Sequence, residues 1–120
     1  MLFRSGCIAF GGGGAYAAVL NNCLLINNVA YGNYGGAAWG CTLKNCTLAG
    51  NSAVSEAGGA VFSTLNNGIA FDNTAPVNPN LASSVVNYSC TMPAVAGVSN
   101  ITNAPLFVST NDFHLQSISP

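Results

Sequence analysis

The sequence predicts an all-β fold: a right-handed parallel β-helix, built as a single-stranded solenoid of about three to four coils with a closing C-terminal segment. Asn28, Asn51 and Asn73 lie 23 and 22 residues apart, and each is followed two positions later by alanine. Leucines precede a second asparagine column, and glycine pairs and aromatic residues recur at steps of 23. These sets are Leu20, Leu43 and Leu65; Asn22, Asn45 and Asn67; Gly12-Gly13, Gly35-Gly36 and Gly58-Gly59; and Tyr16, Trp39 and Phe62.

A repeat of this length also occurs in leucine-rich repeat proteins, so composition must decide between helix and strand. Gly, Asn, Ser and Thr interrupt every unit after a few residues, which excludes helices. Short apolar runs between these breaks, such as Tyr16–Leu20 and Cys23–Ile26, predict strands separated by turns. Equivalent strands one unit apart would then stack in parallel, about 4.8 Å from each other.

The repeats predict coils over residues 1–75 and a closing segment of the same domain over residues 76–120. Residues 2–5 align with residues 25–28, so the chain is expected to enter in the middle of a coil and to follow upstream coils of the same parent protein. The closing segment is predicted to hold a strand over Ser83–Tyr88 and two more on either side of a turn at residues 109–112.

Both asparagine columns are expected to form structural ladders at corners of the coil. An asparagine side chain tolerates left-handed backbone and can hydrogen-bond to the asparagine above or below it. The glycine pairs are expected to supply positive φ where each coil turns back. Cys23 and Cys46 share one column among five cysteines in the chain, and the spacing favours free, packed thiols over disulfides.

Composition excludes several function classes. Only five of the 120 residues carry a formal charge and the net charge is −1, so no basic surface for nucleic acid is expected. No apolar run approaches the length of a transmembrane helix. No Cys-x-x-Cys or His pairing indicates a metal, and no cofactor motif is present.

The repeated pattern Leu-x-Asn-Cys-x-x-x-x-Asn-x-Ala, at Leu20–Ala30 and Leu43–Ala53, resembles the parallel β-helix repeats of bacterial surface and secreted proteins. The ending Ala104-Pro-Leu-Phe-Val, followed by Asp112-Phe-His-Leu-Gln and Ser119-Pro120, is similar to the segment that closes the choice-of-anchor type of these proteins. Ser89-Cys90-Thr91 with Pro93 fits the same approach to the close. The resemblance implies a pectate-lyase-like architecture and an extracellular or bacterial cell-surface location.

Enzymes of this architecture cluster acidic residues with a base on one face. The only acids are Glu56, which aligns with Asn33, Asp72, which aligns with Asn27 and Gly50, and Asp112. They predict no facing pair of carboxylates, and His114, between two apolar residues, is expected to be an outward polar side chain. The chain is therefore predicted to contain no catalytic residues.

The candidate binding residues are aromatic. If the rings of Tyr16 and Trp39 point outward, they would stack coil upon coil into a flat platform for sugar rings, whereas inward rings would be core; small flanking residues leave the direction open. Phe62 is the weakest candidate because it lacks a polar group. Tyr31 and Tyr34, in a turn beside Asn33, could extend the surface.

These features lead to one hypothesis and two alternatives. The hypothesis is an extracellular or cell-surface scaffold with an adhesive or carbohydrate-binding role, whose partner is a polysaccharide or surface glycan. The alternatives are the C-terminal part of a polysaccharide lyase or glycoside hydrolase, and a purely structural stalk.

Overall fold

The computed structural model describes the backbone of residues 2–5, 8–9, 13–32, 34–93, 95–109 and 112–115, and the side chains of residues 13–32, 34–93 and 95–106. Within these residues the chain forms short strands and no helix. In chain order the strands are β1 (Leu2–Ser5), β2 (Ile8–Ala9), β3 (Ala15–Tyr16), β4 (Val19–Asn21), β5 (Cys23–Ile26), β6 (Val29–Ala30), β7 (Ala38–Trp39), β8 (Thr42–Lys44), β9 (Thr47–Ala49), β10 (Ser52–Ala53), β11 (Ala60–Val61), β12 (Thr64–Asn66), β13 (Ile69–Phe71), β14 (Leu81–Ala82), β15 (Val85–Asn87), β16 (Cys90–Thr91), β17 (Phe107–Ser109) and β18 (Asp112–Leu115).

The strands stack in parallel into four walls, which confirms a parallel β-solenoid of about three turns. Wall 1 contains β3, β7, β11 and β14, and wall 2 contains β4, β8, β12 and β15. Wall 3 contains β1, β5, β9, β13 and β16, and wall 4 contains β2, β6 and β10. The right-handed winding stays a prediction.

At each corner between two walls, one residue adopts a left-handed backbone conformation with positive φ. The three columns that follow walls 1, 2 and 3 are Ala17, Gly40, Phe62 and Ser83; Asn22, Asn45, Asn67 and Tyr88; and Asn27, Gly50 and Asp72. A fourth column, before wall 1, contains Gly35, Ala57 and Asn78. The run Tyr16–Leu20 is therefore two strands separated by the corner at Ala17, not one.

The coil shortens at a single place. Corner residues are five positions apart along walls 2 and 3, but the segment that contains wall 4 spans eight residues from Asn27 to Gly35 and seven from Gly50 to Ala57. It spans only six from Asp72 to Asn78. The repeat therefore falls from 23 to 22 and then to 21 residues, and the loss lies wholly in this segment.

The predicted register is wrong in two places, and this shortening accounts for the first of them. Trp39 pairs with Val61, whereas Phe62 lies in the corner column of Gly40. At the start of the chain, Leu2 pairs with Cys23 and Ser5 with Ile26, two positions away from the predicted alignment.

The interior of the solenoid is filled by inward columns of Ala and Leu. Wall 1 contributes Ala15, Ala38, Ala60 and Leu81, and wall 2 contributes Leu20, Leu43, Leu65 and Val86. Wall 3 adds Leu25, Leu48 and Ala70.

One asparagine column forms the predicted buried ladder. The side-chain oxygen of Asn51 accepts hydrogen bonds from the backbone N–H of Asn28 at 2.9 Å and from its side-chain amide at 3.0 Å. The side-chain oxygen of Asn73 accepts the same pair from Asn51, at 3.0 and 2.8 Å. The amide of Asn51 also donates to the backbone oxygen of Leu25 at 2.8 Å. Left-handed backbone in this corner belongs to the preceding residues, Asn27, Gly50 and Asp72, not to the ladder asparagines.

The other asparagine column lies on the surface, at the corner between walls 2 and 3. Asn22, Asn45 and Asn67 are exposed and adopt positive φ, as predicted. The amide of Asn67 donates to the side-chain oxygen of Asn45 at 2.6 Å. The asparagines of this column therefore support the turn conformation and are not part of the buried interior.

The coils continue beyond residue 75, because β14, β15 and β16 pair in parallel with β11, β12 and β13. The strand predicted at Ser83–Tyr88 is Val85–Asn87. Residues 95–103 then cover the last coil: Val95 packs against the core, and the side-chain oxygen of Asn100 accepts from the backbone N–H of Ser89 at 3.1 Å. The two predicted terminal strands, β17 and β18, pair antiparallel.

Candidate functional site

The candidate site is a group of aromatic side chains on the outer face of wall 1. Along β3, Ala15 is buried in the main core while Tyr16 is 65% exposed. Trp39 is half-buried and belongs to a separate cluster from the inward Ala38. Since successive side chains of a strand point to opposite faces, Tyr16 and Trp39 point outward, and the direction that the sequence left open is settled.

The rings meet edge to face. The ring centroids of Tyr16 and Trp39 are 5.3 Å apart with an interplanar angle of 88°, and those of Tyr34 and Trp39 are 6.4 Å apart at 72°. We call these three residues the aromatic cluster. The predicted flat platform of parallel rings is therefore wrong, because perpendicular contacts satisfy the aromatic quadrupoles better than face-to-face stacking does.

The aromatic cluster rests on a small apolar base of its own. Trp39 and Tyr34 pack over Ala57, Val61 and Ala82, which are buried outside the main core. Trp39 and Tyr34 are therefore half-buried and held in place by packing, whereas Tyr16 has the largest exposed surface of the three.

Tyr31, the fourth predicted binding residue, stands apart. Its side chain is 62% exposed, and it makes no ring contact with the other described residues. Asn33, which lies between Tyr31 and Tyr34, is outside the described residues. The structure therefore joins three of the four predicted aromatic residues into one cluster.

Gly40, at the corner after wall 1 and directly after Trp39, is exposed, and a Cβ atom placed on it would meet no heavy atom within 4 Å. In the same column Ala17 lies on one side and Phe62, which is 59% exposed, lies on the other. The sequence did not predict this column, because it depends on the register that places Phe62 beside Gly40.

The two acidic side chains that the structure describes, Glu56 and Asp72, do not form a facing pair. Glu56 pairs with Tyr34 and not with Asn33, and its Oε1 accepts a hydrogen bond from the side-chain amide of Asn78 at 2.8 Å. Asp72 is exposed at a different corner. The side chains of Asp112 and His114 are outside the described part of the chain. Within that part, no group of three or more His, Cys, Asp or Glu side chains could hold a metal ion.

The four cysteines that the structure describes are buried free thiols: Cys23, Cys41, Cys46 and Cys90. The thiols of Cys23, Cys41 and Cys46 each donate to the backbone oxygen two residues earlier, at 3.2, 3.4 and 3.2 Å. Ser63 makes the same contact at 2.8 Å in the column of Cys41. Burial raises the pKa of the Cys46 thiol above its ordinary value, which keeps the thiol protonated.

This equivalence predicts that Cys41→Ser changes the free energy of unfolding by less than about 1 kcal/mol, because the new hydroxyl finds the carbonyl that the thiol used. Ala38→Ser is the matched control: it places a hydroxyl at a buried wall position without the corner carbonyl and should cost about 1 to 3 kcal/mol. Urea unfolding of both variants measures the difference. Equal losses of unfolding free energy in the two variants would contradict the proposal that the corner carbonyl accepts the hydroxyl at position 41.

Two asparagines with structural roles were missed by the repeat analysis. Asn80 continues the buried ladder, because its side-chain oxygen accepts from the backbone N–H and the amide of Asn73 at 3.1 and 2.8 Å. Similarly, the side-chain oxygen of Asn100 accepts a hydrogen bond from the backbone N–H of Ser89. Asn80 lies only seven residues after Asn73, so no period near 22 could find it.

Comparison of the chain with protein-family profiles, with curated proteins and with solved structures gives no match. Among the described residues, no helix is long and apolar enough to cross a membrane. The candidate site must therefore be interpreted from its own geometry.

Proposed function

We propose that this chain is a non-catalytic β-solenoid scaffold that binds carbohydrate through the aromatic cluster. The observation that carries the proposal is the outward ring of Tyr16, 65% exposed and held edge-on against Trp39. An aromatic face covers the C–H surface of a sugar ring, and the phenol hydroxyl adds a hydrogen-bonding group beside it.

Rigidity supports this function. Trp39 contacts the rings of Tyr16 and Tyr34 and packs against the buried cluster that contains Val61, its neighbour in the next coil. The wall below it is held by ladder hydrogen bonds on both sides of β7. Side chains that are already ordered lose little entropy when a ligand binds, so even a small contact area can give useful affinity.

The wider proposal is an adhesive scaffold of the extracellular or bacterial cell-surface kind, similar to the choice-of-anchor β-helix proteins. The repeat and closing motifs support this interpretation. A lyase or hydrolase is disfavoured because the carboxylate of Glu56 is engaged by Asn78 and the exposed Asp72 lies at another corner. Glycoside hydrolysis needs two carboxyl groups that flank one bond.

The test is native affinity electrophoresis of the folded chain through gels that contain single polysaccharides. At least one polymer should retard the wild-type chain, and Tyr16→Ala should weaken its binding by about tenfold or more, equivalent to about 1.4 kcal/mol. Trp39→Ala is a poorer test, because the loss of a half-buried ring that covers Val61 would also lower stability.

Tyr88→Ala is the matched control, since Tyr88 is 61% exposed and lies at the corner between walls 2 and 3. It should leave the retardation unchanged. Free migration of the wild-type chain through every gel would contradict carbohydrate binding and would favour a structural stalk. Equal losses in the two tyrosine variants would place binding elsewhere.

A further inference from the structure

Cys23 and Cys46 are in-register neighbours in adjacent coils, next to the corner between walls 2 and 3. The residues that follow them, Leu24 and Thr47, pair in parallel, so the two cysteines lie one coil apart. In-register residues of parallel strands have Cα atoms about 4.8 Å apart. Disulfides join Cα atoms that are about 4.4 to 6.8 Å apart. The backbone spacing therefore permits a bridge between the two coils.

The two thiols also lie close enough to interact inside the fold. Only 3% of the surface of Cys23 and 1% of that of Cys46 are exposed. Burial is the main cause of the raised pKa of the Cys46 thiol, and the neighbouring Cys23 thiol raises that pKa further. The structure therefore brings together both the backbones and the sulfur atoms of the two residues.

The corner does not need sulfur for its own hydrogen bond. In the same column, the hydroxyl of Ser89 donates to the backbone oxygen of Asn87 at 2.7 Å, which is the contact that the Cys46 thiol makes with Lys44. Gly68 separates Cys46 from Ser89 in this column, so the described column holds two sulfur atoms and no third. Two thiols with no further ligand suit a disulfide better than a zinc site, which takes four ligands.

We propose that Cys23 and Cys46 form a stabilising disulfide between adjacent coils when the chain meets a small-molecule disulfide such as oxidised glutathione. One protein thiolate attacks the small disulfide, which gives a mixed disulfide and releases one small thiolate. The second protein thiolate then attacks the protein sulfur of the mixed disulfide, and the second small thiolate leaves. The protein thiols are oxidised, the small disulfide is reduced, and the two released thiolates take up the two protons.

The bridge would tie one coil to the next at the corner. A closed loop restricts the unfolded chain, so the bridged form should melt about 5 to 15 °C higher than the reduced form. An extracellular location, as proposed above, would provide the oxidising conditions in which such bridges persist. A bridged form that melts no higher than the reduced form would overturn the stabilising role.

The test is refolding of the full chain from urea in a buffer of reduced and oxidised glutathione. Refolding gives the oxidant access to thiols that are buried in the final structure. Alkylation of the remaining thiols and peptide mapping then identify the bridge. The chain should lose two of its five thiols, and one pair of linked peptides should contain Cys23 and Cys46. Retention of all five thiols, or a bridge that involves another cysteine, would overturn the proposal.

Cys46→Ser removes the pair, and Ser89 shows that serine fits this column. This variant should keep all of its remaining thiols in the same buffer. Cys41→Ser is the matched control, because the in-register neighbours of Cys41 are Ala18 and Ser63. It should lose two thiols, as the wild-type chain does. Equal thiol loss in the two variants would contradict the assignment of the bridge.

Discussion

Replacement of Asn51 by alanine is expected to lower the free energy of unfolding by about 3 to 5 kcal/mol. The side chain is fully buried, and its carboxamide makes four hydrogen bonds that link three coils. Alanine would leave the backbone N–H and the side-chain amide of Asn28 without this acceptor, and would remove a donor from Leu25. Each buried polar group left unsatisfied costs about 1 to 3 kcal/mol.

Asn45→Ala is the matched control for this variant. Asn45 belongs to the exposed column, and its side-chain oxygen accepts one surface hydrogen bond, from the amide of Asn67. Its loss should cost about 1 kcal/mol or less. Urea denaturation followed by circular dichroism compares the two, and similar stabilities for both variants would refute the central role of the buried ladder.

Gly58→Ala is expected to destabilise the fold by about 3 kcal/mol or more, although it adds a single methyl group. A Cβ atom at this position would lie 2.6 Å from the backbone nitrogen of Thr74 and 2.7 Å from the backbone oxygen of Asn51, with the oxygen of Thr74 closer still. All three are main-chain atoms that take part in stacking adjacent coils, so they cannot move aside alone.

Gly40→Ala separates crowding from backbone conformation. It adds the same methyl group where there is open space, at a corner that requires positive φ. The expected cost is about 1 to 2 kcal/mol from the left-handed backbone alone. A loss for Gly58→Ala that does not exceed this value would contradict the close approach of the coils.

The repeat in the sequence was sufficient to predict the solenoid, because equivalent residues had to stack. The buried ladder was predictable for the same reason: Asn28, Asn51 and Asn73 recur once per coil and make the expected hydrogen bonds. The free, packed state of Cys23 and Cys46 also followed from their shared column.

The predictions that failed depended on an exact register. A fixed step of 23 placed Phe62 over Trp39, but the coil loses a residue in the segment of wall 4, and Val61 takes that position. The glycine pairs were assigned to positive φ, yet of their described members only Gly35 has it. Gly58 is instead required by the lack of space around it.

The aromatic cluster was only partly predictable. The sequence supplied Tyr16, Trp39 and Tyr34, but small residues on both sides of each ring gave no inward or outward signal. Their perpendicular arrangement depends on packing over Val61, a contact between coils that no local pattern encodes.

The most direct test of carbohydrate binding at the aromatic cluster uses the intrinsic fluorescence of Trp39, the single tryptophan of the chain. Its emission reports on this site alone, without labels or substitutions. Titration with the polysaccharide that retards the chain in a gel should produce a saturable change in emission, and Tyr16→Ala should shift the midpoint to higher polymer concentration. Retardation in the gel with no change in Trp39 emission would show that the ligand binds elsewhere and would contradict the proposed site.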